Sequence, residues 1–418
     1  MAPREARSDL ASRGAWYFRA GGGLQTFSPD GPQPSGSTFL QLLTSKKAMK
    51  ILKHSRLLLG FLLVLLSAVL AFSVVVILIR TRAQTRQRSK AHSEEKAYKL
   101  ADGPYAVETV DQTIHDAKRD KDLPVRILFP KSGGPFPVIV FSHGAGGSGQ
   151  NYFALTSFWT SHGYVVIQPT HNDSIALRRE KGEQIPTSPR ELIDEYRFNS
   201  DDWGNRARDI SLVIDSLSDL QEQVRQLKGK IDQKRIGVGG HSYGAYTTQM
   251  IGGALVDMPN GPKAQGFGDD RARALMLLSG QGKNQNGLTE TSWKTMTRPM
   301  MSMTGTYDNG ASGQVAEWRK DPFTYSPPGD KYHVFIDDAF HMSFTGALAQ
   351  ADSAQNVRRP LIARLAQRTD QRAVFDYVKI ASIAFWDAYL RNDPKAKAYL
   401  KSDALIDYSR NSVKIDRK

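Results

Sequence analysis

The amino-acid sequence predicts an α/β fold with a doubly wound, mostly parallel sheet, preceded by one N-terminal transmembrane helix. Short apolar runs, typical of strands covered on both faces, alternate with helical segments from residue 105 onwards. Upstream, Leu57 to Ile79 form an uncharged, Leu/Val-rich run of 23 residues, which is long enough to cross a bilayer. A buried core helix is the alternative, but such helices usually carry polar residues on one face. The pattern therefore predicts a membrane segment followed by one large α/β domain.

The N-terminal region divides into three parts before that domain. Residues 1–48 are rich in Gly, Ser, Pro and Arg and are predicted to be disordered, or to be an extension that is not normally translated. Met49 precedes a basic stretch and the apolar run, as at the start of an export signal, so residues 49–80 are predicted to be an uncleaved signal anchor. Residues 81–104 then form a charged linker. Basic residues flank the apolar run on both sides, and we predict export of the C-terminal domain from the signal-like start.

The formal charge of +14 is unevenly distributed along the chain. Residues 1–104 hold 16 Lys+Arg against 6 Asp+Glu, and residues 105–418 hold 40 against 36, so the folded part is nearly balanced. No basic stripe is interleaved with aromatic residues, and we therefore expect no nucleic-acid binding. The absence of cysteine excludes disulfides, thiolate metal sites and a cysteine nucleophile.

The predicted domain, residues 105–418, opens with two alternating strands and continues with buried strands and helices. Pro137 to Phe141 form a continuous apolar run of the kind found in parallel strands. The other predicted strands are 105–110, 123–129, 164–167, 235–239, 273–279, 299–304 and 332–336, and the predicted helices are 150–161, 205–220, 245–250 and 373–391.

The stretch Gly240-His241-Ser242-Tyr243-Gly244 joins a buried strand to a helix. A serine at such a turn is held at a strained tip, and bulk two residues away on either side would collide with neighbouring backbone. Gly240 and Gly244 meet that requirement. Chance is the alternative, because the chain contains 35 glycines. The motif predicts Ser242 as a nucleophile and the backbone N–H of Tyr243 as an oxyanion donor.

Serine needs a base and a group that orients the base, and both are expected downstream at strand exits. His341 follows the predicted strand 332–336 and is the best candidate for the base. Asp308 follows the strand 299–304 and is the candidate for the acid, with a turn-capping carboxylate as the alternative. Asp337 and Asp338 compete for this role but lie close to His341 in the chain. The strand exit after 273–279 offers no acid.

A second oxyanion donor is expected from the loop after an early strand. In Ser142-His143-Gly144-Ala145-Gly146-Gly147 the best candidate is the N–H of Ala145. His143 and His241 are interpreted as supporting residues. His171 lies at another strand exit and is a candidate for substrate contact or, with Asp173, for a weakly indicated metal site.

These motifs resemble one branch of the α/β hydrolases, from about Val125 to Leu400. The branch contains the plasma-type platelet-activating factor acetylhydrolases and the bacterial proteins called predicted dienelactone hydrolases, with polyester hydrolases as more distant relatives. The matching pieces are Val140-Phe141-Ser142-His143-Gly144, residues 161–166, Trp203 with Arg206 and Asp209, Gly240-His241-Ser242-Tyr243-Gly244, residues 303–308 and residues 384–390.

The resemblance implies an α/β-hydrolase fold and a serine esterase with Ser242, His341 and Asp308 as its triad and the N–H groups of Ala145 and Tyr243 as its oxyanion hole. Together with the predicted membrane segment, the expectation is a membrane-anchored serine hydrolase. The resemblance implies no metal or organic cofactor and a small-molecule or lipid ester as substrate. True dienelactone hydrolases use a cysteine nucleophile, so that substrate does not carry over.

Three alternatives remain from the sequence. The same residues could catalyse acyl transfer or amide cleavage, the domain could be a non-catalytic binding module, or His171 and Asp173 could belong to a metal-dependent hydrolase. Residues 171–202 and 282–296 are predicted to form loops over the pocket. The aromatic residues Tyr243, Trp293, Phe340 and Phe344 are candidates for its lining, with ordinary core packing as the alternative.

Overall fold

The chain divides into two compact units, Met1–Arg88 and Ser89–Lys418. The computed structural model describes residues 17–19, 24–26, 60–61, 65–66, 97–188, 191, 194–196, 199–354 and 370–418. In the first unit, strands β1 (Tyr17–Arg19) and β2 (Leu24–Thr26) pair antiparallel. The rest of the predicted N-terminal extension, nearly all of the predicted membrane segment and residues 81–96 of the predicted linker lie outside the described residues. No helix within the described part is both long and apolar enough to span a membrane.

The second unit is built on a nine-stranded sheet in the order β11-β10-β9-β8-β7-β5-β6-β4-β3. Neighbouring strands from β10 to β6 run parallel, and β4, β3 and β11 pair antiparallel at the two edges. The strands are β3 (Val107–Asp116), β4 (Lys121–Pro130), β5 (Phe136–Ser142), β6 (Val165–Pro169), β7 (Ile231–His241), β8 (Ala272–Leu278), β9 (Met300–Tyr307), β10 (Lys331–Phe340) and β11 (Val413–Arg417).

Helices occupy the connections between these strands, as a doubly wound sheet requires. They are α1 (Phe153–Ser161), α2 (Ile175–Glu180), α3 (Ser200–Asp215), α4 (Leu217–Gln223), α5 (Tyr243–Ile251), α6 (Asp321–Tyr325), α7 (Ala347–Ala354), α8 (Gln371–Leu390), α9 (Pro394–Lys401) and α10 (Ala404–Tyr408). Short 3₁₀ helices lie at Arg225–Leu227, Ala316–Lys320 and His341–Thr345.

The central strands are covered on both faces, which explains their continuous apolar sequence. Every residue of β5 is buried. Because successive side chains of a strand point to opposite faces, Val138 and Val140 pack with α3 and α5, and Ile139 and Phe141 pack with α1 and α8. The sheet thus separates two apolar layers.

The structure differs from the sequence prediction in several places. The first strand of the sheet spans Val107–Asp116 and not 105–110, the predicted helix 205–220 is interrupted at Ser216, and β11 has no counterpart in the prediction. Residues 97–104, which the prediction assigned to the linker, pack against the domain. Tyr98 donates a hydrogen bond to Asp387 at 2.9 Å, and Gly103 donates to the Ser161 hydroxyl at 2.8 Å.

The carboxyl ends of the parallel strands meet at one edge of the sheet, where ligands bind in folds of this kind. The residues that follow β5, β7, β8, β9 and β10 at that edge include His143, Ser242, Ser279, Asp308 and His341. Residues far apart in sequence are thereby brought into one site.

Candidate active site

Ser242 lies at the tip of the turn between β7 and α5. Its backbone has φ 55° and ψ −119°, a strained conformation for a residue with a side chain. The turn is tight enough that a Cβ at Gly240 would lie 2.3 Å from the Gly244 carbonyl carbon, and one at Gly244 would lie 1.9 Å from the Ser142 carbonyl oxygen. Both predicted glycines are therefore required by close backbone approach.

His341 connects Ser242 to Asp308. The Ser242 hydroxyl lies 2.9 Å from His341 Nε2, and His341 Nδ1 lies 2.8 Å from Asp308 Oδ1. The network fixes the proton on Nδ1, which donates to the carboxylate, and leaves Nε2 to accept from the serine. Asp308 is fully buried, whereas the His341 side chain is 37% exposed. The structure thus brings Ser242, His341 and Asp308 within hydrogen-bonding distance of one another in that order, and neither Asp337 nor Asp338 occupies the position of the acid.

Two residues that the sequence analysis did not select also contact Asp308. The Ser279 hydroxyl donates to Asp308 Oδ1 at 2.6 Å and lies 2.7 Å from His341 Nδ1, and the Thr304 hydroxyl donates to Oδ2 at 2.9 Å. Ser279 follows β8 in the same way that Asp308 follows β9, so its strand-exit position was the available signal. These hydroxyls hold the carboxylate in one orientation.

Arg319 places a buried positive charge beside the carboxylate. Its Nε lies 3.1 Å from Asp308 Oδ1, and its guanidinium donates to the backbone carbonyls of Ser279, Gly280, Asp308 and Asn309. Burial acts to raise the pKa of Asp308, but the hydrogen bond from His341 and the charge of Arg319 outweigh it and hold that pKa below its usual value. Asp308 is therefore ionised at neutral pH.

The two predicted oxyanion donors lie beside Ser242. In the part of the chain that the structure describes, the N–H groups of Ala145 and Tyr243 donate to no other protein group. Both therefore meet a requirement of an oxyanion hole, which is that its N–H donors are not already used in other hydrogen bonds. Ala145 lines the cavity next to Ser242, and Tyr243 is the first residue of α5.

A chain of hydrogen bonds connects the loop after β5, residues 143–147 and called here the oxyanion loop, to His341. Gly144 N–H donates to the Tyr152 hydroxyl at 3.0 Å, Tyr152 donates to His241 Nδ1 at 3.0 Å, and His241 Nε2–H donates to the His341 carbonyl at 2.8 Å. Burial, together with the nearby His341, lowers the pKa of His241 to about 3, so the ring stays neutral as this pattern needs. The predicted supporting role of His241 has this structural counterpart.

Arg206 connects the other side of the oxyanion loop to Tyr243, at the turn between β7 and α5. It donates to the His143 carbonyl and forms an ion pair with Asp173 at 3.0 Å, and Asp173 in turn accepts from Gly146 N–H at 3.0 Å. The guanidinium also lies 4.4 Å from the centre of the Tyr243 ring.

His171 lies below this loop and not in a cavity. It is fully buried, its Nδ1–H donates to Asp209 at 2.8 Å, and its Nε2 accepts from the Ser142 hydroxyl at 2.9 Å. Both ring nitrogens are therefore used, which removes the predicted substrate contact. Asp173 is paired with Arg206, and the described residues contain no cluster suited to a metal ion.

Two cavities meet at Ser242 and His341. The larger, of about 680 Å³, is bounded by the oxyanion loop, the start of α1 and the segment after His341, including Ala145, Phe153, Tyr196 and Met342. The smaller, of about 280 Å³, is bounded by Gln281, Gln285, Asn309, Trp318 and Arg319, and is called here the polar pocket. The segments 171–202 and 282–296 contribute Tyr196 and Gln285, respectively, to the walls.

The aromatic residues proposed from the sequence contribute little to these walls. Trp293 and Phe344 are fully buried and Tyr243 is 3% exposed, so core packing, the alternative considered above, describes them. Phe153 and Met342, which the sequence analysis did not select, border the larger cavity and are half exposed. They follow the oxyanion loop and His341 in the chain, which was their only sequence signal.

Known proteins are similar to parts of this chain. Residues 95–188 match the family model Chlorophyllase. Platelet-activating factor acetylhydrolase from Bos taurus is 29% identical over 141 residues, 28% of this chain and 32% of that protein. A putative phospholipase A2 from Schizosaccharomyces pombe is 24% identical over 163 residues, 31% of this chain and 37% of that protein. The matched region thus spans about a third of the length of these relatives.

The solved structures include a ferulic acid esterase from Streptomyces cinnamoneus that superimposes on this fold. Its TM-score is 0.52 with 19% identity, and the match covers 75% of this chain and 96% of the esterase. Together with the mostly parallel sheet, this match shows an α/β-hydrolase fold. The chain resembles the α/β-hydrolase branch of the platelet-activating factor acetylhydrolases, as the sequence motifs predicted.

Proposed function

We propose that this protein is a serine hydrolase that cleaves carboxylic esters through an acyl-enzyme. The observation that carries the proposal is the line of contacts from Ser242 through His341 to Asp308, at 2.9 and 2.8 Å. Similarity to esterases and phospholipase-like proteins supports the class of reaction. A small-molecule or lipid ester is the proposed substrate.

In the proposed reaction, Ser242 Oγ attacks the ester carbonyl carbon while His341 Nε2 takes the hydroxyl proton. The N–H groups of Ala145 and Tyr243 stabilise the negative charge on the carbonyl oxygen. His341 then gives its proton to the alcohol oxygen as the C–O bond breaks, and Asp308 stabilises the imidazolium. In the second half of the reaction, a water molecule attacks the acyl-enzyme carbonyl carbon while His341 takes one of its protons. His341 then gives that proton to Ser242 Oγ as the acyl bond breaks, which releases the acid and restores the serine.

Labelling of the full chain with a fluorophosphonate tests this proposal. Ser242 should displace fluoride and form a phosphonyl adduct, detectable by peptide mass mapping. Ser242→Ala should remove the adduct and lower kcat for a short-chain ester by a factor on the order of 10⁴ or more, and His341→Ala should act similarly. Ser218→Ala is the matched control, because Ser218 is exposed on α4.

Retention of ester hydrolysis by pure Ser242→Ala protein would contradict the proposal. A folded wild-type protein that forms no adduct would point instead to the non-catalytic binding module. Product analysis with a competing alcohol or an amide substrate separates hydrolysis from the acyl-transfer and amidase alternatives.

We further propose that residues 49–80 anchor the protein in a membrane and that the catalytic domain lies on the exported side. The support is the uncharged run from Leu57 to Ile79 after a basic, signal-like start. Protease added outside intact cells should digest the catalytic domain if this orientation is correct. Protection until the membrane is permeabilised would contradict it.

A further inference from the structure

We propose that the polar pocket is the subsite for the leaving alcohol and that it recognises a hydroxyl group on that alcohol. This inference rests on the proposed esterase function and adds a substrate class to it. The preferred substrate would then be an ester of a small alcohol that carries a second hydroxyl.

Two glutamines that border the polar pocket carry buried amide oxygens that no protein group satisfies. Gln281 is 7% exposed and its Oε1 has no partner, and Gln285 Oε1 is also buried without one. Buried polar atoms are normally paired, and an amide whose oxygen has no protein partner can turn to present either its oxygen or its nitrogen to a ligand, so two such amides bordering one cavity indicate a site for a hydroxyl group.

Gln281 is also held in place by its backbone. Its carbonyl accepts from Gln249 Nε2 at 3.1 Å, and Gln249 Oε1 accepts from Trp293 Nε1 at 2.7 Å. Gln249 and Trp293 are fully buried. The pocket wall is therefore fixed before a substrate arrives, which lowers the conformational cost of recognition.

The charges around the polar pocket favour a neutral hydroxyl over an ion. Arg319 is a buried cation in the same wall, so it disfavours a substrate ammonium group. Its guanidinium already donates to four backbone carbonyls and contacts Asp308, which leaves it poorly placed to bind a phosphate or carboxylate. A hydroxyl can donate a hydrogen bond to the amide oxygen of Gln281 or Gln285. If that amide rotates by 180°, the hydroxyl can instead accept a hydrogen bond from the amide nitrogen.

The position and size of the polar pocket suit the alcohol part of the ester. Ser242 and His341 border both cavities, and the leaving oxygen must lie within reach of His341, but of the two cavities only the larger one is bordered by Ala145, the proposed oxyanion donor. A volume of about 280 Å³ lies just below the range typical of drug-sized ligands. The larger cavity then accommodates the acyl group, and the polar pocket accommodates a short alcohol.

Two esters that differ in one terminal group provide the test. 3-Hydroxypropyl butyrate and n-butyl butyrate have the same number of heavy atoms and the same acyl group, and differ only by a hydroxyl in place of a methyl. The wild-type protein should hydrolyse the hydroxyl ester with the higher kcat/KM. Gln281→Leu should reduce the ratio of the two kcat/KM values about fivefold or more, because leucine offers no hydrogen bond.

Gln223→Leu is the matched control, since Gln223 is exposed at the end of α4, and it should leave the ratio unchanged. If Gln281→Leu does not fold, Gln285→Leu tests the other acceptor with the same expected fall. Equal kcat/KM values for both esters in the wild type, or an unchanged ratio in a folded, active variant, would overturn the subsite and leave the esterase intact. No hydrolysis of either ester and no fluorophosphonate adduct would instead overturn the proposed function.

Discussion

At the scale of single residues, Arg206 is the side chain that touches both parts of the proposed oxyanion hole. It holds the loop around Ala145 through the His143 carbonyl and Asp173, and it lies against the ring of Tyr243. Arg206 is 1% exposed and lies in the wall of neither cavity adjoining Ser242. We therefore expect it to be a positioning residue for the transition state and not a substrate contact.

Replacing Arg206 with methionine should lower kcat by roughly 10- to 100-fold while KM changes by less than about threefold, because the oxyanion donors stabilise the transition state more than the bound ester. Steady-state kinetics on a soluble ester measure both terms. Arg206→Lys should recover part of kcat, since a cation would again face Asp173. Arg208→Met is the control, because Arg208 is the exposed neighbour on α3. A change confined to KM would contradict the positioning role.

The sequence predicted the proposed catalytic residues because each of them follows a segment whose pattern indicates a strand. Ser242, Asp308 and His341 could be selected from their order and from the chemistry that each residue type can do. Arg319 could not, because its contact with Asp308 depends on a 3₁₀ helix that no apolar pattern marks. Ser279 was considered only as a position without an acid, and its role as a hydroxyl donor depends on side-chain direction.

At the scale of elements, the turn between β7 and α5 depends on close backbone packing. A Cβ at Gly244 would lie 1.9 Å from the Ser142 carbonyl oxygen and 2.7 Å from that of His143, and backbone cannot yield as a flexible side chain can. Gly244 therefore holds the turn against the strand that begins the oxyanion loop.

Gly244→Ala should displace the turn, reduce fluorophosphonate labelling of Ser242 at least tenfold, and lower the Tm, because the substitution forces backbone apart at a buried site. Labelling rates and thermal unfolding measure the two effects. Gly266→Ala is the matched control: the nearest atom to its added Cβ would be a Leu255 methyl at 3.4 Å, an ordinary contact. A Gly244→Ala protein that labels at the wild-type rate would show that the turn tolerates the extra carbon.

Sequence patterns located the interior strands better than the edges. The central strand β5 is buried at every residue because helices cover both faces, whereas β11 is short, Val413–Arg417, and only its first residue is buried. Lys414 and Asp416 face outwards in this strand, which pairs antiparallel with β10. Such a short, charged segment resembles a polar tail until its partner strand is known.

At the scale of the whole molecule, five of the described histidines are buried, His162 among them, and burial lowers the pKa of each below its usual value. Burial is the main cause that lowers the pKa of His143 to about 4, of His241 to about 3 and of His333 to about 4, and it places that of His171 well below the usual value. Three of these histidines, His143, His171 and His241, lie near the proposed active site, and each accepts a hydrogen bond at one ring nitrogen, which protonation would abolish. The fold is therefore built on neutral imidazoles around its proposed active site.

This arrangement predicts that stability falls as the pH decreases from about 6.5 towards 4. In that window the unfolded chain binds protons on these histidines, whose pKa is about 6.5 when exposed, while the folded chain does not. Each histidine therefore lowers the free energy of unfolding by up to about 1.4 kcal/mol for each pH unit of decrease. Asp202 and Asp321, whose pKa values burial raises, act in the opposite direction but are fewer. The Tm should therefore be clearly lower at pH 5.0 than at pH 7.5.

His333→Asn should make the pH dependence of the Tm shallower, since it removes one buried imidazole outside the proposed site. His115→Asn should not, because the His115 side chain is 58% exposed. A Tm that stays constant between pH 7.5 and 5.0 would mean that the buried imidazoles take up protons without loss of the fold.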